Sequence, residues 1–129
     1  MKQDTKKKEY YAYSITLELQ PNETKEDSIR IDRGGDFVVY QINGYAFKIS
    51  DLSPTDRVTI HIKDSGSGKD WFREPLWFNN ILSNYSRPSL NKIKLGKIVK
   101  ANDQIFISVR NYEQTTIRIQ IVLEGYRIF

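Results

Sequence analysis

The chain has no cysteine and only one histidine among its 129 residues. The missing thiols exclude disulfide frameworks, thiolate nucleophiles and sulfur-ligated metals together, and they fit folding inside a cell. A single histidine, His61, cannot build a multi-histidine metal centre. Long apolar runs are also missing, so no stretch spans a bilayer and no membrane partner is expected. The first residues, Met1 through Glu9, are charged, and no apolar segment of the signal-peptide kind follows them. No composition break, long linker or internal repeat divides the chain. At 129 residues it has the length of one domain. A chain of that size buries roughly two-thirds of its unfolded surface, enough for a core without a metal or disulfide.

Charge is present but unevenly placed. Twenty basic against sixteen acidic side chains give a net +4. Residues 1–9 hold Lys2, Lys6, Lys7 and Lys8 against Asp4 and Glu9, so half of that excess lies in a short basic arm. The body that follows is close to balance, which is not the signature of a basic nucleic-acid-binding face. Contact with nucleic acid or an acidic partner is expected only through Lys6, Lys7 and Lys8 of the arm.

Apolar side chains alternate along most of the body. Tyr11, Tyr13, Ile15, Leu17 and Leu19 share one face of a run whose other face carries Ala12, Ser14, Thr16 and Glu18. Successive strand side chains point to opposite faces, so this is a half-buried strand. The pattern returns at Val58, Ile60 and Ile62, at Ile105, Ile107 and Val109, and at Ile117, Ile119, Ile121 and Leu123. Shorter strands are expected at 28–31 and 97–99. The dense run 36–42 reads as a central strand buried on both faces, and Asn43-Gly44 as a type I′ hairpin returning it along 45–49. Turns are expected at 51–56 and 101–103, and residues 111–114 read as a hairpin loop between the last two strands. No sustained helical stripe occurs. The sum is an all-β, antiparallel β-sandwich, jelly-roll-like, with seven to nine strands spaced by about ten residues. It is preceded by a short N-terminal arm: arm 1–9, sandwich 10–129.

Chemistry-bearing motifs are scarce. The polar loop 64–70 contains Gly66-Ser67-Gly68-Lys69, but the spacing of a phosphate loop fails and no helix pattern follows. Asp64, Ser67 and Asp70 are oxygen-bearing residues of the kind found at hairpin tips as well as around calcium. His61 lies at an outward strand position without a nucleophile elbow nearby in sequence. Most acids fall in turns, where they serve solubility and local hydrogen bonding. The expectation is no catalytic residue, no cofactor, no metal, and hence no enzyme.

The aromatic middle segment carries the functional signal. Trp71, Phe72, Trp77, Phe78 and Tyr85 either cap an open end of the sandwich or face outward as interface anchors. The apolar terminus Tyr126, Ile128 and Phe129 suggests a tail that docks into its own domain or a neighbour. An exposed aromatic platform around Trp71 and Trp77 would also suit sugar stacking.

The order of these features resembles small structural proteins of tailed and related bacteriophages, with jelly-roll-like folds in virions. The phrases that carry it are Asp32 through Ile42, Val58 through Ser65, Arg87-Pro88-Ser89-Leu90, Asn102-Asp103-Gln104, Ile105 to Asn111, and Ile117 through Gly125-Tyr126-Arg127. They cover roughly residues 28–129 and mark turns, not chemistry. The resemblance implies a non-enzymatic virion component made in the host cytoplasm: a multi-copy capsid, decoration or head–tail protein. Its partners would be its own copies and other virion proteins. The alternative is a carbohydrate-binding β-sandwich module using exposed aromatics.

Overall fold

The computed structural model describes residues 7–66, 68, 70–78 and 96–129. Among them are eight strands: β1 (Lys8–Leu19), β2 (Thr24–Arg30), β3 (Asp36–Lys48), β4 (Val58–Asp64), β5 (Leu76–Trp77), β6 (Lys97–Val99), β7 (Gln104–Asn111) and β8 (Ile117–Ile128). They form two four-stranded sheets, in the orders β1-β8-β3-β6 and β2-β7-β4-β5. Every pairing is antiparallel. The pairs β1·β8, β2·β7, β3·β6 and β4·β5 are nested, as in one long hairpin whose two arms run side by side. The chain alternates between the sheets, so consecutive strands mostly lie on opposite layers.

The alternation dictates the core. Ile15 and Leu19 of β1, Ile117, Ile119, Ile121 and Leu123 of β8, and Phe37, Val39, Ile42 and Ala46 of β3 are buried on one inner face. Ile29, Val58, Ile60, Ile62, Ile105, Ile107 and Val109 oppose them from the second sheet. β-Branched side chains suit this pleated, one-sided burial. Truncating such a residue, Ile119→Ala for example, costs about 2–5 kcal/mol through lost transfer energy and the cavity left behind.

Several expectations change. Asn43 and Gly44 do not turn: β3 runs straight through them, with Asn43 opposite Val122 and Gly44 opposite Ile121. The equally long β8 offers a continuous ladder, so pairing across the whole strand outweighs the local turn preference. β3 is central in its sheet, but only its inner face is buried; Tyr40 and Tyr45 on its outer face are exposed. Residues 111–114 do not close a hairpin, because β7 and β8 belong to different sheets. Asn111, fully buried, makes that crossing possible. Its Nδ2 donates to the carbonyls of Leu19, Gln20 and Thr115, and its Oδ1 accepts from the amide of Glu113.

Both ends of the body are held more firmly than expected. β1 begins at Lys8, inside the expected arm, with Lys8 opposite Ile128. The terminus is paired within its own domain: Tyr126 and Ile128 lie within β8, paired with both β1 and β3, and the Phe129 amide donates to the Lys7 carbonyl. Gly125 fits there because the Val38 backbone occupies the space a Cβ would need.

Candidate functional site

One row of side chains crosses the whole outer face of the first sheet. Tyr10 of β1 lies opposite Tyr126 of β8, Tyr126 opposite Val38 of β3, and Val38 opposite Ile98 of β6. All four alternate with core residues and so point away from the core. Tyr10 is 61%, Tyr126 38% and Ile98 59% exposed, which makes the row an open apolar band.

A bulge adds a fifth member. The register of β3 against β8 shifts between Val39 and Gln41, leaving Tyr40 as the extra residue. A bulge re-aims the side chain at its own position. Here it sets the Tyr40 ring against Tyr126, with centroids 5.2 Å apart and planes at 88°. Tyr10 meets Tyr126 from the other side, at 6.3 Å and 85°. Such edge-on pairs are preferred by the ring quadrupole and hold the three rings in fixed relation.

Between them lies a shallow recess of about 270 Å³, lined by Tyr10, Tyr40, Gln41, Glu124 and Tyr126. The Tyr10 hydroxyl donates to Glu124 Oε2 at 2.7 Å. That bond, with burial and the carboxylate charge adding to it, raises the Tyr10 pKa above its ordinary value. Farther along the same face, Tyr45 and Phe47 form a second aromatic pair, 5.8 Å apart, beside the Glu18–Arg118 ion pair. Five of the nine large apolar or aromatic side chains exposed among the described residues therefore share this face: Tyr10, Tyr40, Tyr45, Ile98 and Tyr126. Clustered exposure of this kind marks association surfaces, whereas scattered exposure does not.

The residues singled out from sequence are divided by the fold. Tyr126 stands in the middle of the row. Ile128 is half-buried at the end of β8, and Phe129 is exposed at the rim, with the Arg127 guanidinium over its ring. Trp71 and Phe72 pack against the core, and Trp71 Nε1 donates to Asp64 Oδ2 at 2.8 Å. Phe78 is 1% exposed and belongs to the core, so it cannot anchor a partner. Trp77 is exposed on the outer face of the second sheet, its ring 5.0 Å from that of Tyr112 and tilted by 50°. Tyr85 and Lys6 lie outside the described residues. Lys7 and Lys8 are exposed at the start of β1.

Tyr10, Tyr40 and Ile98 were not legible as a site. Tyr10 had a weak signal, since it falls on the outward positions of its alternating strand. Tyr40 and Ile98 had none, because the bulge and the β3·β6 register place them. His61 is not a plain surface residue: its Nε2 lies 3.0 Å from Asp70 Oδ1, and its side chain is largely covered. Among the described residues no three histidine, aspartate or glutamate side chains are grouped for a metal ion. No described helix is long and apolar enough to cross a membrane.

No known family model matches the chain, and no curated protein matches it. The functional reading therefore rests on the surface itself.

Proposed function

We propose that the chain is a non-enzymatic structural protein of a virion of the bacteriophage type, a multi-copy capsid, decoration or head–tail component that acts through protein–protein assembly. The observation that carries this reading is the outward row Tyr10–Tyr126–Val38–Ile98 with Tyr40 beside it. Tyrosine supplies large contact area at low entropic cost and is enriched among the residues that concentrate binding energy at the centres of interfaces, while aliphatic neighbours help exclude water around it. The row sits on a two-layer scaffold, held in place by strands on both sides of Tyr126.

The nested strand order supports a jelly-roll form of the sandwich, an architecture that recurs in capsid and lectin domains. Copies of the chain itself and neighbouring virion proteins are the partners of this face. Nucleic acid has a role only at the basic arm, and the protein acts in the particle after synthesis in the host cytoplasm. Quantitative mass spectrometry of purified particles tests the reading. Many copies per particle are expected; a protein left behind in the lysate and absent from intact particles refutes it.

A carbohydrate-binding module is the second reading, and one observation favours it: Trp77 is exposed and backed by Tyr112. Glycan-array binding that disappears in Trp77→Ala would support it over assembly.

A further inference from the structure

The outer face of the second sheet, opposite the aromatic row, carries a recess of different chemistry. Its register brings Thr24 of β2 opposite Arg110 of β7, Arg110 opposite Thr59 of β4, and Thr59 opposite Trp77 of β5. On the next outward row, Ser108 faces His61. Thr24, Thr59, His61, Ser108 and Arg110, with Pro75 and Tyr112, line a recess of about 230 Å³. No carboxylate is among its described lining residues. Asp70 stands behind His61, and Glu26, opposite Ser108 on β2, does not line the recess.

Several donors of the recess have no protein acceptor among the described residues. The Arg110 guanidinium lies 4.9 Å from the Tyr112 ring centroid, and the Tyr112 ring packs in turn against Trp77 at 5.0 Å, tilted by 50°. Among the described residues its N–H groups have neither a hydrogen bond nor an ion pair. The cation–π contact with Tyr112 helps hold a planar fork of donors, the geometry by which arginine recognises phosphate-like groups. The hydroxyls of Thr24, Thr59 and Ser108 surround it. His61 Nδ1 is buried and has no hydrogen-bond partner among the described residues.

We propose that this recess binds a compact oxyanion of the phosphate or sulfate type, held bidentately by Arg110 and by the hydroxyls of Thr24, Thr59 and Ser108, with His61 alongside. A metal ion would meet the positive charge of Arg110 and no carboxylate among the described lining residues. A neutral sugar would leave the guanidinium charge uncompensated. The site lies on the opposite sheet from the aromatic row, so its occupation is compatible with assembly through that row.

The test is an NMR titration of the intact chain with inorganic phosphate and with sulfate at constant ionic strength, using chloride and glucose as controls. Saturable shifts at Arg110, Ser108, Thr59 and His61 are expected with both oxyanions and with neither control. Arg110→Gln should weaken binding about tenfold or more, and Arg110→Lys less, because it keeps the charge and loses the fork. Spectra that superimpose away from the recess show that the variants are folded. Shifts linear to the end of the titration, equal response to chloride or glucose, or undiminished affinity in folded Arg110→Gln would each overturn the proposal.

Discussion

Tyr40 meets Tyr126 edge to face, with ring centroids 5.2 Å apart, although 86 positions separate them in sequence. One extra residue in β3 produces this contact, and β8 receives it at the middle of its sheet. The same stretch of β8 contains Gly125, which faces the Val38 backbone across the ladder. Bulge, glycine and tyrosine pair are therefore one local device.

Gly125→Ala should disrupt it. The added methyl overlaps the Val38 carbonyl, backbone and not a flexible side chain, so β3 or β8 must move. A loss near the upper end of the usual 1–3 kcal/mol cost of overpacking is expected in urea denaturation. Unchanged stability would show that the ladder yields freely at the bulge.

Asn111 is expected to be among the most sensitive polar positions. It joins the carbonyls of Leu19, Gln20 and Thr115 to the start of the β7–β8 crossing. Asn111→Ala should cost about 2–3 kcal/mol by leaving those buried groups unpaired. Asn111→Asp should be at least as damaging near neutral pH, because a carboxylate cannot donate to carbonyls. Denaturation midpoints within error of the parent chain would remove the crossing from the account.

Leu52 holds φ at 60° on the β3–β4 connection while 68% exposed. A left-handed conformation costs a non-glycine residue roughly 1–2 kcal/mol, and asparagine tolerates it better. Leu52→Asn should raise the thermal midpoint slightly, by the equivalent of roughly 0.5–1 kcal/mol. A drop would mean that the leucine side chain makes a stabilising contact.

The strands were largely written in the sequence, but their neighbours were not. Alternation at Ile117–Leu123 and Val58–Ile62 reports which face is buried, since period two needs only local residues. It cannot report that β7 and β8 lie in different sheets, which depends on pairings with strands far away in the chain. Asn43-Gly44 shows the limit of turn chemistry: its preference for positive φ is smaller than the gain from twelve paired positions along β3 and β8. For the site, Tyr126 could be picked out near an apolar terminus. Tyr10, Tyr40 and Ile98 become its neighbours only through register. The aromatic middle segment drew attention by composition, yet Phe78 went to the core and Trp71 to a bond with Asp64.

Tyrosine ionisation gives a probe of the aromatic recess. Tyr10 titrates above 10.0 because its hydroxyl donates to Glu124, and Tyr13 does so chiefly because it is partly buried. For a pKa raised by folding, the associated stabilisation is fully present below the unfolded value and is lost as pH rises through the folded one. Glu124→Gln should therefore bring Tyr10 ionisation down toward the ordinary phenol range while leaving Tyr13 unmoved. Phenolate absorbance measured against pH checks this, and a Tyr10 transition indifferent to residue 124 would contradict the bond.

Copies are expected to associate through the outer face of the first sheet, and sedimentation velocity of the purified chain checks this. The parent protein should show concentration-dependent association. Tyr126→Lys and Ile98→Lys, placed on two different strands of the same row, should each remain monomeric at concentrations about tenfold higher. A parent chain that stays monomeric throughout, or folded lysine variants that associate as strongly as the parent, would contradict it.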